Sequence, residues 1–178
     1  MVDRNTRTIC TDVCTVITHV PVKATAGYLT GYGDVDFINA LPSYTLPFLS
    51  REKSYRSFQT DGDSMYPFPE KAIIIGEYVD DWFSLKDNFP CIVVTLNEGI
   101  VFKLVSNRID DERTVRLTSL NPAYKPYDIN VSEICEIWKY KCFISDTIFE
   151  VPQSIDLINN SINEIKHDIK NILKKHCS

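Results

Sequence analysis

Cys91-Ile92-Val93-Val94-Thr95-Leu96-Asn97-Glu98-Gly99-Ile100-Val101-Phe102-Lys103-Leu104-Val105 decides how this chain folds. Its two apolar runs, Cys91 to Leu96 and Ile100 to Val105, are rich in β-branched residues and too short for buried helices. Between them Asn97-Glu98-Gly99 supplies a turn, with Gly99 free to take a positive φ. The stretch therefore predicts a β-hairpin. Outward from it, runs of similar length recur at Arg56 to Thr60, Ala72 to Val79, Thr114 to Leu120 and Ile134 to Phe143, and Asp110-Asp111-Glu112-Arg113 makes a further turn. Successive hairpins of this kind predict a mostly β core over 55–150, curled on itself as a sheet or barrel.

The flanks read differently. Residues 1–20 form a short N-terminal arm with two β-prone stretches, Thr8 to Cys10 and Val13 to Val20. From 21 to 54, Gly27, Gly31, Gly33, Pro42 and Pro47 interrupt any period of 3.6, which predicts an extended connection. Beyond Val151-Pro152, Ser154 is a candidate N-cap and Ile155, Ile158, Ile162, Ile165, Ile169 and Ile172 follow at spacings of 3, 4, 3, 4 and 3. That is a heptad seam on a helix within 151–178, with Lys166, Lys170, Lys174 and Lys175 near the end that its dipole makes negative. Such a helix either covers its own domain or pairs with another chain. The narrowness of the seam favours pairing.

Composition excludes several classes. A chain of 178 residues, 44% hydrophobic and 24% charged, suits one compact domain with extras. Its apolar runs fall well short of the roughly 18 residues that a bilayer span requires. The first twenty residues carry Asp3, Arg4, Arg7 and Asp12 and lack a secretory apolar region, so a cytoplasmic protein is expected. A net charge of -5 argues against a surface that grips phosphate, hence against DNA binding by this chain itself. Six cysteines without a CxxC pair predict free thiols and no metal site, and no cofactor motif is present. His19, His167 and His176 lie near the chain ends, none beside an obvious nucleophile, which disfavours a Ser-His-Asp hydrolase.

Chemistry concentrates in Asp61-Gly62-Asp63-Ser64-Met65-Tyr66-Pro67, just after a predicted strand. A serine in a Gly-containing turn at a strand end can expose its Oγ while neighbouring backbone N–H groups face a developing oxyanion, although plain structural turns share this composition. Lys103 adds a second element. Flanked by Phe102 and Leu104 on a strand, it either points inward, where desolvation favours the neutral amine, or keeps a strand edge soluble.

Together these residues resemble the serine-lysine self-cleaving domain of LexA-type repressors, a peptidase family that includes phage repressors and UmuD-type polymerase accessory proteins. The similarity spans roughly residues 20 to 145 and includes Gly62-Asp63-Ser64-Met65-Tyr66-Pro67 and the Gly99 to Leu104 hairpin with its lysine. It continues through Leu117-Thr118-Ser119-Leu120-Asn121-Pro122-Ala123-Tyr124-Lys125-Pro126, similar to the family's Ser-x-Asn-Pro-x-Tyr stretch after the base. Ser64 and Lys103 stand 39 positions apart, about the family's spacing. Pro21-Val22-Lys23-Ala24-Thr25-Ala26-Gly27-Tyr28 is similar to the loop that such proteins cut between Ala and Gly. The chain departs from the pattern at Lys71-Ala72, where the family has Gly-Asp, and at Leu104, where Arg commonly follows the lysine.

The resemblance implies that Ser64 Oγ attacks the Ala26 carbonyl, that neutral Lys103 carries the proton to the Gly27 amine, and that the backbone N–H groups of Asp63 and Ser64 hold the oxyanion. It places Ser64 Oγ and Lys103 Nζ within hydrogen-bond reach, roughly 2.6 to 3.5 Å. It also implies a homodimer, triggering by a recombinase filament on single-stranded DNA, and DNA contact only through a helix-turn-helix domain that the 26 residues ahead of the cut cannot supply. Two alternatives stay open: a UmuD-like polymerase accessory protein, whose arm before the cut is short, and a non-catalytic dimerisation or peptide-binding module of the same fold.

Overall fold

A computed structural model of the chain describes residues 15–21, 25–147, 161–167 and 169. The chain divides into two units, Met1–Asp146 and Thr147–Ser178. The first is mostly β. Its strands are β1 (Val16–Val20), β2 (Ser43–Thr45), β3 (Tyr55–Gln59), β4 (Ile73–Tyr78), β5 (Phe89–Thr95), β6 (Gly99–Arg108), β7 (Thr114–Thr118), β8 (Tyr127–Asn130) and β9 (Ile134–Ile144). They form one mixed sheet in the order β2-β1-β3-β4-β9-β5-β6-β7-β8. Among the described residues only β1 and β3 pair in parallel. The sheet is open, with β2 and β8 at its edges, rather than closed into a barrel.

The deciding hairpin forms as β5 and β6, with Cys91 opposite Lys103 and Thr95 opposite Gly99. Gly99 takes φ 78°, and Thr95 Oγ1 closes the turn by accepting from the Glu98 N–H at 3.0 Å. The unbroken apolar run in β5 has a structural reason. Ile92 and Val94 enter one core cluster with Phe58, Ile74, Phe102 and Trp138, while Cys91 and Val93 enter another with Val105, Val115, Leu117 and Ile137. Both faces of β5 are covered, so neither set of alternate positions needs to be polar. The turn expected at Asp110 to Arg113 is a short helical turn, α3 (Ile109–Glu112), that ends on Arg113 with φ 55°.

The connection over 21–54 departs from the extended chain expected of it. It contains α1 (Thr25–Gly31), α2 (Val35–Ala40) and β2. Each helix is less than two turns long, too short for a period of 3.6 to emerge from the sequence. The start of α2 does have a local signal, because Asp34 Oδ1 accepts from the N–H groups of Asp36 and Phe37. Thr8 to Cys10 lies outside the described residues.

Gly76 sets a close approach between β4 and β9. A Cβ there would lie 2.6 Å from Trp138 Cβ. Gly76→Ala is therefore expected to destabilise the fold by about 1–3 kcal/mol through overpacking, read as a lower urea midpoint at unchanged slope.

In the second unit, residues 161–167 and 169 are helical, as the isoleucine spacing predicts, and Ile162, Ile165 and Ile169 are exposed. Ile155, Ile158 and Ile172 lie outside the described residues. No helix among the described residues is long and apolar enough to cross a membrane.

Candidate active site

The turn that carries Ser64 begins where β3 ends. Its base is closed by Thr60, whose N–H and Oγ1 both donate to the Ala72 carbonyl at 3.0 Å. Gly62 enters the turn with φ 84°, a conformation that favours glycine. Lys71 closes it at φ 62°, so this chain builds the bend with a non-glycine residue. Met65 is buried beside Ser64, and Phe68 meets Phe102, Tyr140 and Phe143 edge-on with ring centroids 5.0, 5.5 and 5.6 Å away. These anchors hold a half-buried Ser64 at the rim of the sheet.

Lys103 arrives from β6 and is 8% exposed. Of the two orientations open to it in the sequence, the inward one is observed. Burial lowers its pKa below the ordinary lysine value, and the nearby Asp63 carboxylate opposes that shift without reversing it. Ser64 and Lys103 line one cavity of about 290 Å³, whose apolar wall includes Phe58, Met65, Phe68 and Phe102. Within it the Lys103 Nζ hydrogen bond goes to Ser119 Oγ at 2.9 Å. The Ser64–Lys103 hydrogen bond expected from the sequence is not among those formed by the described residues.

A third segment ties Ser64 and Lys103 together. Asn121 donates from its backbone N–H to the Ser64 carbonyl at 3.1 Å and from Nδ2 to Asp63 Oδ2 at 3.1 Å. Tyr124 donates its hydroxyl to Asp63 Oδ1 at 2.5 Å, and its ring lies 5.5 Å from Lys103 Nζ. Residues 119–124 thus bind Asp63, Ser64 and Lys103 at once. Their motif is legible in the sequence, but the role as a clamp is not, because it depends on contacts across 16 to 61 positions. With the Asp63 carbonyl also held by the Tyr66 N–H at 3.0 Å, the backbone around the proposed oxyanion donors Asp63 and Ser64 is fixed from two sides.

Ala26 and Gly27 lie in α1. The helix packs near β6, with Leu29 close to Gly99, and against Phe37 of α2. The bond expected to be cut is thus helical here, not extended.

One neighbour escaped the sequence. Parallel pairing of β1 with β3 sets His19 opposite Ser57, with His19 Nδ1 3.1 Å from Ser57 Oγ. A histidine does therefore stand beside a serine. Ser57 is fully buried, so this pair is closed to substrate. Among the described residues no group of three or more His, Cys, Asp or Glu could hold a metal ion, and Cys91, Cys135 and Cys142 are free thiols.

Comparison with protein-family models gave no match to this chain, and neither did comparison with curated proteins.

Proposed function

We propose that this chain is a LexA-like, cytoplasmic serine-lysine autopeptidase and dimerisation domain that cuts its own Ala26–Gly27 bond. The observation that carries the reading is the shared cavity of Ser64 and the buried Lys103, the two residue types that this chemistry requires. Ser64 Oγ attacks the Ala26 carbonyl while neutral Lys103 takes its proton. The tetrahedral oxyanion is held by the backbone N–H groups of Asp63 and Ser64. Collapse breaks the C–N bond, Lys103 returns the proton to the Gly27 amine, and water then hydrolyses the acyl-enzyme. Rotation of Lys103 Nζ from Ser119 toward Ser64 completes the dyad when substrate enters.

The sheet also supports an extended peptide substrate. β6 pairs with β5 from Gly99 onward, whereas its pairing with β7 begins only at Leu104. Among the described residues no strand pairs with Gly99–Lys103 on that side, so a peptide could add there as a strand beside Lys103. The bond between Lys103 and Ser119, rather than Ser64, favours a second reading in which the same groove binds a peptide without cutting it.

Intact mass of the purified chain before and after alkaline incubation separates the two readings. Cleavage is expected to yield fragments that meet at Ala26 and Gly27, and an unchanged mass favours the binding module. The pH profile carries a sign. Desolvation favours the neutral amine, so the rate is expected to rise with pH and to level off below the ordinary lysine pKa. A flat profile from neutral to alkaline pH would count against a lysine base.

The isoleucine seam supports self-association. Burying each such side chain is worth about 1.5–3 kcal/mol, which favours a second copy covering Ile162, Ile165 and Ile169. Ile162→Asp is expected to weaken the dimer in sedimentation equilibrium more than Ser64→Ala does. A wild-type monomer at tens of micromolar would contradict the pairing.

A further inference from the structure

The helix that contains the Ala26–Gly27 bond has little reason to exist by itself. In α1, Thr-Ala-Gly-Tyr-Leu-Thr-Gly, two of the seven residues are glycine and two are β-branched threonine, with no acidic residue in the first turn and no basic one in the last. A helix of this length is not stable alone in water. Its tertiary anchors must hold it.

One such anchor is Tyr28, which is fully buried. Its hydroxyl donates to Glu136 Oε2 and accepts from Arg56 Nη1. Arg56 also pairs with Glu136 Oε1 at 3.1 Å, and Trp138 Nε1 donates to Glu136 Oε2 at 2.9 Å. The Arg56 guanidinium lies 5.3 Å from the Tyr28 ring centroid and 4.7 Å from that of Trp138, and Phe58 meets the Tyr28 ring edge-on. Arg56 comes from β3 and Glu136 and Trp138 from β9, both inside the sheet. One α1 side chain thus closes a buried polar cluster on a rigid base.

A peptide bond inside α1 cannot also lie extended along the side of β6 where no described strand pairs with Gly99–Lys103. We infer that the Tyr28–Arg56–Glu136 cluster is a latch: it holds the segment carrying the Ala26–Gly27 bond in helix α1, and Ser64 meets that bond only after Tyr28 leaves the cluster. The inference rests on the self-cleavage reading for its consequence, though the latch itself can be observed without any cleavage. It assigns restraint of the reaction to a residue two positions beyond Ala26 that takes no part in the chemistry.

Tyr28→Phe tests this. It keeps the ring and its contact with Phe58, and Glu136 keeps Arg56 and Trp138 as partners. Three measurements are made. In otherwise wild-type protein, self-cleavage at alkaline pH is expected to accelerate on the order of tenfold, the scale of a hydrogen bond to a charged group. Cleavage in trans of a separate peptide with the sequence of residues 20–32 is expected to keep its wild-type rate, because that peptide was never latched. In the Ser64→Ala background, amide hydrogen exchange over 25–31 is expected to speed up by a similar factor with β5 unchanged. Exchange over 25–31 that does not respond to Tyr28→Phe overturns the latch whatever the cleavage result. Faster exchange with no Ser64-dependent cleavage of either substrate upholds the latch and removes the peptidase reading.

Discussion

Lys103→Met is expected to stop self-cleavage while making the fold no less stable. The loss should reach about a thousandfold or more, as it should for Ser64→Ala, because in the proposed mechanism the two residues act as one unit and removal of either disables it. The stability effect has the opposite direction. Lys103 is 8% exposed, and burial lowers its pKa, so carrying the ammonium costs the folded state free energy at neutral pH. Methionine fills a similar volume without charge. The sign follows from linkage. A lysine whose folded-state pKa is depressed opposes folding below that pKa, and the penalty fades as pH rises toward the unfolded value. The variant's advantage in urea should therefore be largest near neutral pH and shrink in alkali. A variant that cleaves at the wild-type rate would remove Lys103 from the mechanism, and one that unfolds more readily at neutral pH would mean that its bond to Ser119 outweighs desolvation.

The largest effect on stability is expected at Glu136. Its side chain is 9% exposed, and its carboxylate accepts from Tyr28, Arg56 and Trp138 together. Glu136→Ala leaves Arg56, whose side chain is 16% exposed, without its counter-charge and strands two further donors. Breaking a buried pair from one side costs about 3–5 kcal/mol, a large share of a domain's total stability. Glu136→Gln keeps an acceptor for Tyr28 and Trp138, so it should lose less. Chemical denaturation of both variants measures the difference, and a loss below about 1 kcal/mol for Glu136→Ala would mean that water reaches Arg56 and replaces the carboxylate.

Strand identity was legible along the chain because it is local. Short apolar runs, β-branched residues and turn chemistry mark β3 to β7 and β9 from a few neighbouring residues each, and Asn97-Glu98-Gly99 specified the β5–β6 hairpin with almost no other information. The motif around Ser64, the inward option for Lys103 and the isoleucine spacing were readable for the same reason. What the sequence could not determine is set by contacts between distant residues. Insertion of β9 between β4 and β5 brings Glu136 and Trp138 to Arg56, and the parallel pairing of β1 with β3 puts His19 on Ser57. Helix α1 is the sharpest case, since its glycines and threonines argue for a loop until Tyr28 finds the buried cluster. The orientation of Lys103 was likewise decided only in three dimensions, where Ser119, Asn121 and Tyr124 close over it and Asp63. Local propensity is a matter of tenths of a kcal/mol per residue, whereas one buried, fully partnered side chain is worth several times that, so tertiary structure prevailed wherever the two disagreed.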